Sequence, residues 1–420
     1  MTEKNKSIRN FPNSGNIPKL RFSEFTEEWE ENQLESYIDV ISGVALKSDE
    51  ISDEKKGIPI LRGINITEGF IRHTNEIDRF YSKELNRKTQ KYILELDDLV
   101  IGMDGSKVGK NVAMIREKDV GSILIQRVAR IKALGSTNIH FIFQKIFSNE
   151  FVKYVDLVNT SSGIPHISLQ QIKDFKTSFP ATLEQEKIAS FLTLLDKRIQ
   201  TQKKIIEVLQ TYKLSLSDKI FTKKIRFKDS NDENFPEWRY KTLGEIGEII
   251  NGLTYNPNDV NDSGVLVLRS SNVQKRTVVL KDNVFVKTAN FNAVKENDIL
   301  ICVRNGSKNL IGKNVIIKKE NEGLAFGAFM SVYRSAYNKF IYQWFDTMEY
   351  KEIVKKNLGA TINSINGSDL KKFKIPFPSA NEQNKIASFF ESLDDKISLE
   401  NELLTQYENQ KKYLLRNLFV

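Results

Sequence analysis

Two short segments combine glycine with lysine as phosphate-binding loops do, and they are the first places where chemistry could reside. A P-loop has four residues between its glycines, then Gly-Lys followed by Ser or Thr. Here three residues separate Gly105 from Gly109, five separate Gly306 from Gly312, and Asn follows the lysine in both segments. This spacing argues against nucleotide binding. We interpret each segment as a strand–turn–strand whose lysines lie in solvent or near a polyanion backbone.

Other catalytic signatures are incomplete in this sequence. The segment 255–258, Tyr-Asn-Pro-Asn, partly matches the Asn-Pro-Pro-aromatic motif of amino-methyltransferases, but it lacks the second proline and the aromatic residue, and no glycine-rich cofactor loop accompanies it. With one cysteine, Cys302, and three histidines, neither a disulfide framework nor a Cys/His metal site is expected. No Ser-His-Asp or Cys-His arrangement stands out. We therefore expect a binding protein with no catalytic residue, metal site or bound cofactor.

The composition favours a multidomain chain with a polyanionic partner. The 420 residues are 40% hydrophobic, which suffices for two or three folded domains. The formal net charge of +9 favours nucleic acid as a partner. The first twenty residues have no apolar core typical of a signal peptide, and no run of 18 apolar residues occurs. We expect a cytoplasmic protein.

An internal repeat organises the chain. Residues 179–221 and 377–419 align without a gap at an offset of 198, with 15 of 43 positions identical, including Lys-Ile-Ala-Ser-Phe at 187–191 and 385–389. In both copies apolar residues recur at steps of three and four, which predicts an a/d helical seam. The predicted seam residues are Ile188, Leu192, Leu195, Ile199, Ile206, Leu209, Leu216, Ile386, Phe390, Leu393, Ile397, Leu404 and Leu414.

The seam predicts helices of roughly 37 residues, about 55 Å long. Two matched seams favour packing within one chain over an ordinary dimerising coiled coil, and we expect an antiparallel arrangement with a pseudo-twofold axis. Gln202 and Glu400 share one polar seam position, and Lys213 and Lys411 share another. In an antiparallel pair we expect Lys213 to face Glu400 and Gln202 to face Lys411.

The segments before the helices repeat more faintly. Trp29 and Leu34 match Trp238 and Leu243, and residues 97–115 match 297–317. Their composition predicts mixed secondary structure, with strands at 58–61, 265–268, 299–303 and 315–317 and helices at 139–157 and 338–356.

Together these features resemble the specificity subunits of type I restriction–modification systems over nearly the whole chain. The resemblance is carried by the Trp–x4–Leu pairs, the Gly-Ser…Gly-Lys-Asn-Val segments, and the Phe-Pro…Glu-Gln…Lys-Ile-Ala-Ser-Phe starts of the long helices. Each motif is weak alone. Their combination, repeated twice about 200 residues apart, is specific.

The resemblance implies an α+β protein with two homologous globular target recognition domains, separated by two long helices that form an intramolecular antiparallel coiled coil. We expect an N-terminal tail at 1–20, recognition domains at 21–180 and 223–378, and spacer helices at 181–222 and 379–420. The family further implies that each recognition domain reads half of a split, asymmetric DNA site. Two modification subunits then supply adenine methylation with S-adenosylmethionine, and restriction subunits supply ATP- and Mg-dependent cleavage.

Candidate DNA contacts were chosen by residue type, because base edges are read by paired donors and acceptors and phosphates by cations. About a third of them should touch DNA, since turns and ion pairs use the same residue types. The candidates are Arg62, Asn65, Lys107, Lys110, His166, Arg269, Asn272, Arg304, Asn305, Lys308, Lys313 and Asn363.

Two alternatives remain open at this point. One is a detached recognition portion of a single-chain restriction-methyltransferase, which predicts a missing catalytic segment upstream; Met1 followed by a polar tail argues against it. The other is a coiled-coil adaptor without a DNA role, which leaves the two matched globular units unexplained.

Overall fold

A computed structural model describes residues 8–10, 16–159, 163–358 and 363–419. The chain divides into two compact units. Unit 1 takes in the chain up to Gln202 and again from Leu403, and unit 2 is Lys203–Glu402. The bounds that we predict for the recognition domains and the spacer helices remain a prediction. In the structure each compact unit includes part of both helices.

Unit 1 contains twelve strands within the described residues: β1 (Ile8–Asn10), β2 (Leu20–Phe22), β3 (Glu30–Gln33), β4 (Ile38–Ser42), β5 (Ile51–Ser52), β6 (Ile58–Leu61), β7 (Arg79–Tyr81), β8 (Leu99–Gly102), β9 (Val112–Met114), β10 (Ile123–Leu124), β11 (Val128–Ala133) and β12 (Lys176–Phe179). Its short helices are α1 (Arg87–Gln90), α2 (Ile139–Ile146), α3 (Asn149–Val158) and α4 (Leu169–Lys173). The first long helix, α5 (Thr182–Phe221), follows and continues into unit 2.

Unit 2 repeats most of this sequence of elements. Its strands are β13 (Arg239–Thr242), β14 (Glu248–Asn251), β15 (Val260–Asn261), β16 (Val265–Leu268), β17 (Val273–Gln274), β18 (Thr277–Val278), β19 (Phe285–Val286), β20 (Ile299–Cys302), β21 (Asn314–Ile316), β22 (Ala325–Phe326), β23 (Met330–Arg334) and β24 (Lys374–Phe377). Its short helices are α6 (Leu243–Ile246), α7 (Asn338–Trp344), α8 (Met348–Lys356) and α9 (Gly367–Lys371), and the second long helix is α10 (Ala380–Asn417).

The two units share one sheet topology. Unit 1 has an antiparallel sheet in the order β4-β11-β8-β9 and a mixed sheet in the order β10-β6-β7-β5. Unit 2 has β14-β23-β20-β21 and β22-β16-β19-β15. In both mixed sheets the pair at one end is parallel, β10 with β6 and β22 with β16. The repeat seen in the sequence is therefore a repeat of fold.

The predicted strands agree with the structure to within one residue. Residues 58–61 and 265–268 form β6 and β16 with the predicted bounds, and 299–303 forms β20 one residue shorter. All four residues of β20 are buried, which explains why its pattern is a continuous apolar run and does not alternate.

Each of the two predicted globular helices is in fact two helices. The segment 139–157 breaks between α2 and α3, where the Ser148 side chain accepts a hydrogen bond from the Phe151 amide. The segment 338–356 breaks between α7 and α8, where Thr347 caps in the same way. A side-chain N-cap satisfies the first amides of a new helix, and periodicity alone does not detect it.

The predicted seam is the buried face of the long helices. No predicted seam residue is exposed, although the helices carry exposed apolar residues such as Leu194 and Val208 outside the seam. Buried seam residues are Ile188, Leu192, Ile199, Ile206, Ile386, Phe390 and Leu414, and half-buried ones are Leu195, Leu209, Leu216, Leu393, Ile397 and Leu404.

Within each unit the helical segments run antiparallel. In unit 1, Leu414 and Leu418 near the end of α10 share a core with Ile188 and Leu192 near the start of α5. In unit 2 the end of α5 packs against the start of α10, since Ile220 and Phe221 share a core with Ile386 and Phe390.

The polar seam positions pair differently from our prediction. Lys213 pairs with Asp394, with Nζ 2.5 Å from the carboxylate, and Lys411 pairs with Asp196 at 2.6 Å. Asp394 lies six residues before Glu400, the partner that we expected for Lys213. Asp196 likewise lies six residues before Gln202, the partner that we expected for Lys411. The two ion pairs are equivalent under the 198-residue offset, because Lys411 matches Lys213 and Asp394 matches Asp196.

A buried carboxylate joins the beginning of each unit to the first turn of its long helix. In unit 1, Glu184 accepts hydrogen bonds from the Arg21 guanidinium at 2.8 and 2.7 Å and from Trp29 Nε1 at 3.2 Å. In unit 2, Glu382 accepts from Arg226 at 3.2 and 3.0 Å. Trp238 Nε1 also donates to Glu382, at 2.8 Å. These contacts explain the Trp and Glu of the repeated motifs.

The predicted tail at residues 1–20 is not described throughout, since 1–7 and 11–15 lie outside the described residues. Residues 8–10 form β1, which pairs antiparallel with β2. No helix in the described ranges is long and apolar enough to cross a membrane.

Candidate nucleic-acid interface

Three backbone segments meet where β8 ends in unit 1. The Met103 amide donates to the Arg127 carbonyl at 2.9 Å, and the Ile167 amide donates to the Met103 carbonyl at 2.8 Å. The Gly105 amide donates to the Pro165 carbonyl at 3.0 Å. We call residues 103–105, 127 and 165–167 the strand-end cluster of unit 1.

Unit 2 builds the same strand-end cluster from residues 303–305, 329 and 363–365. The Val303 amide donates to the Phe329 carbonyl at 3.0 Å, and the Ile365 amide donates to the Val303 carbonyl at 2.9 Å. The Asn305 amide donates to the Asn363 carbonyl at 3.2 Å. The backbone frame is therefore shared, whereas the side chains on it differ.

In unit 1 this frame presents an exposed arginine paired with a half-buried aspartate, and an exposed imidazole. Arg127 Nη1 lies 3.0 Å from Asp104 Oδ2, and the arginine side chain is 70% exposed. His166 is exposed and forms a backbone bridge with Asp104. Arg127 has φ of 68°, in the left-handed region that non-glycine residues rarely adopt.

In unit 2 the frame presents an arginine beside an aromatic ring. The Arg304 guanidinium carbon lies 5.7 Å from the centroid of Phe329, and that ring is 56% exposed. Asn305 donates to Ser270 Oγ at 3.0 Å. Asn363 donates to the Gly306 carbonyl at 2.9 Å. The two asparagines thus brace the loop around the arginine.

The lysine-bearing turns lie next to these clusters. Lys107 pairs with Glu68 at 3.1 Å, Lys110 and Lys308 are exposed, and Lys313 donates to the Ser270 carbonyl at 3.3 Å. These cations can contact a phosphate backbone without reading sequence.

The glycines of these turns have a packing role. Gly109 and Gly312 have positive φ, and an added Cβ would lie 3.1 Å from Val155 or 2.9 Å from Val354. The glycine thus lets the turn approach helix α3 or α8. This close packing explains the Gly-Lys-Asn pattern without a nucleotide.

Four candidates turn out to be occupied within the protein. Asn65 and Asn272 are fully buried, and both amides donate to backbone carbonyls within their own loops. No edge remains for a base, so we remove both from the DNA-contact candidates. Arg62 and Arg269 are half-buried and donate to the carbonyls of Ile77 and Asp282. They hold the loop that follows β6 or β16.

Comparison with known families gives a direct match. The model of the type I restriction modification DNA specificity domain matches residues 26–211 and again residues 236–409. The chain belongs to this family.

Relatives of the specificity-domain family align over most of the chain. It is 24% identical to the type I restriction enzyme MjaVIII specificity subunit of Methanocaldococcus jannaschii, over 98% of this chain and 96% of the relative. The chain is 23% identical to the type I restriction enzyme EcoBI specificity subunit of Escherichia coli, over 87% of this chain and 79% of the relative. The crystal structure of a type I restriction–modification S subunit from M. genitalium superposes with a TM-score of 0.61 at 17% identity, covering 96% of this chain and 99% of that one.

Sequence reasoning missed two exposed residues of the specificity domains. Arg127 and Phe329 each directly precede an inner strand of the antiparallel sheet, β11 or β23. The available signal was the internal repeat itself. Once the two copies are aligned on these strands, a large side chain occupies both positions while its chemistry changes.

Proposed function

We propose that this chain is the DNA-recognition subunit of a type I restriction–modification complex. It binds a bipartite, asymmetric DNA sequence and directs adenine methylation and restriction by partner subunits. One observation carries the proposal: two specificity domains present different exposed side chains on one shared backbone frame. Identical frames suit two half-sites of similar geometry, and different side chains suit different bases.

We assign the candidate contacts to two roles. Lys107, Lys110, Lys308 and Lys313 serve phosphate positioning, whereas His166, Arg304, Asn305 and Asn363 belong to the strand-end clusters that read bases. The long helices act as the spacer between the readers. At 1.5 Å per residue, α5 and α10 with 40 and 38 residues are about 60 and 57 Å long.

The chain itself performs no chemistry in this proposal. Two modification subunits bind S-adenosylmethionine and extrude the target adenine, which must leave the stack before its amino group can be methylated. Restriction subunits bind ATP and Mg. A complex of this kind acts in the cytoplasm, where the DNA is.

The test is methylome sequencing of cells that express this chain together with its modification subunit. We expect a two-part motif with methylated adenines and a fixed gap of unread bases. Cells with the modification subunit alone are the control. A random distribution of methylation in both strains would reject DNA recognition by this chain.

Calorimetry tests the assignment of chemistry to the partners. The purified chain should show no S-adenosylmethionine binding at micromolar concentrations, and the complex with modification subunits should bind it. Micromolar binding by the chain alone would instead support the alternative of a methyltransferase fragment.

A further inference from the structure

Three of the matched positions at which the strand-end clusters differ concern the arginines and their neighbours. Asp104 corresponds to Arg304 and His166 to Ser364, because Asp104 forms a backbone bridge with His166 and Arg304 forms one with Ser364. Arg127 corresponds to Phe329, because their carbonyls accept from the matched amides of Met103 and Val303. The arginine therefore comes from a different backbone segment in each unit, although each arginine lies in the strand-end cluster of its own unit.

In unit 1 the backbone itself is strained to present the arginine. A non-glycine residue at φ of 68° persists where the surroundings fix it, and such residues concentrate at ligand-binding sites. Asp104 accepts a hydrogen bond from one N–H of the Arg127 guanidinium, which has five N–H donors. The pair orients the planar group and leaves most of its donors available.

In unit 2 the face of the Phe329 ring orients the Arg304 guanidinium. Arg304 lies over Phe329, and its guanidinium makes no hydrogen bond or ion pair with any residue that the structure describes. An exposed guanidinium on an exposed ring is preorganised, and its N–H donors face solvent. Two hydrogen-bond acceptors in the plane of a DNA base match the planar N–H donors of the Arg304 guanidinium.

We propose that Arg127 and Arg304 each contact the O6 and N7 atoms of a guanine in the major groove, and that Asp104 and Phe329 are positioning residues for them. This inference rests on the proposed function and deepens it. Bidentate contact with these two acceptors is the commonest specific use of arginine on DNA. It predicts at least one guanine contact in each half-site.

The test uses the chain in complex with its modification subunits, acting on a plasmid library with randomised half-sites. Arg127→Gly should lower the preference for guanine roughly 10- to 100-fold at one position of one half-site. The glycine tolerates the positive φ, so folding is retained. Arg304→Ala should do the same at one position of the other half-site. Arg239→Ala, an exposed arginine on β13 outside the cluster, is the matched control.

Lysine variants separate base reading from phosphate binding. Arg127→Lys and Arg304→Lys keep the charge but lose the planar fork, so guanine preference should fall while the salt dependence of binding stays unchanged. Asp104→Asn should weaken preference at the same position as Arg127→Gly.

Two outcomes would overturn the inference. One is an unchanged motif in both the glycine and the lysine variants. The other is an equal loss of methylation on all sequences, which would identify phosphate contacts. Failure of the proposed function looks different, because the wild-type complex would then yield no two-part motif at all.

Discussion

Lys145 of unit 1 and Trp344 of unit 2 occupy the same helical position with very different chemistry. Both are fully buried. Trp344 Nε1 donates to Glu349 at 2.9 Å. Lys145 Nζ is 4.0 Å from Glu150, 5.3 Å from the Trp29 ring and 5.0 Å from the Phe419 ring. It has no hydrogen-bond partner among the residues that the structure describes. An ammonium group without hydrogen bonds is costly in such a site.

Burial lowers the pKa of Lys145 to about 8. In the unfolded chain the pKa of a lysine is about 10.4. Between about pH 8 and this value the unfolded state therefore binds more protons than the folded state. Unit 1 should therefore be least stable below about pH 8 and gain stability as the pH rises toward 10. The difference corresponds to about 3 kcal/mol.

We predict that Lys145→Met stabilises the protein by up to about 3 kcal/mol at pH 7 and much less at pH 10. The variant removes the charge and keeps the apolar volume. Urea unfolding at the two pH values measures the effect, and Lys153→Met, an exposed lysine on α3, is the control. An equal gain at both pH values would contradict the role of the ammonium.

At the scale of elements, the buried glutamates fix each long helix to its unit. Glu184 and Arg21 are 1% and 2% exposed, whereas Arg226, the partner of Glu382, is 19% exposed. Removing one partner of a buried ion pair leaves an uncompensated charge.

We predict that Glu184→Gln lowers the free energy of unfolding by about 3–5 kcal/mol. Glu382→Gln should cost less, because water reaches Arg226. Urea unfolding provides the measurement, and Glu186→Gln, an exposed neighbour of Glu184, is the control. If Glu184→Gln behaves like Glu186→Gln, the ion pair does not hold the helix.

The sequence predicts elements better than it predicts pairings. Periodicity is a local property, so α5, α10 and the whole seam follow from it. The partner of Lys213 depends on helix stagger, which no local pattern specifies. Lys213 therefore pairs with Asp394 and not with the Glu400 that we expected.

The same limit applies to the site. Asn65 has the residue type of a base reader, but long-range packing buries it. Arg127 was missed because its exposure comes from the meeting of three distant segments.

At the scale of the molecule, the repeat predicts independent readers. Replacing residues 22–178 with the matching region of a relative should change one half-site and preserve the other, because unit 2 keeps its own strand-end cluster. Methylome sequencing of the chimera reads out both halves. Change in both halves, or in neither, would contradict the two-reader model.

The proposed spacer role of the helices predicts the result of lengthening one of them. Four residues inserted after Thr201 add one turn, about 6 Å. DNA rises about 3.4 Å per base pair, so the gap can grow by at most about two pairs. Two pairs also require roughly 70° of rotation about the DNA, and the insertion disturbs the heptad.

We therefore expect unchanged half-sites with a gap longer by one or two pairs, or no binding at all. Methylome sequencing of the insertion variant distinguishes these results. Full modification at the original gap would show that the helices do not determine spacing.

The division of the chain also reverses the usual order of folding during synthesis. Unit 2 is continuous, but unit 1 needs the end of α10 and the residues just after it, where Phe419 packs on Trp29 and Phe141. At 5–20 residues per second, the ribosome takes roughly 10–40 s to make the intervening 200 residues. The part of the chain made first is therefore completed last. A translation product that stops before Leu414 exposes an aromatic surface to chaperones and proteases, so cells should remove incomplete readers before they reach DNA.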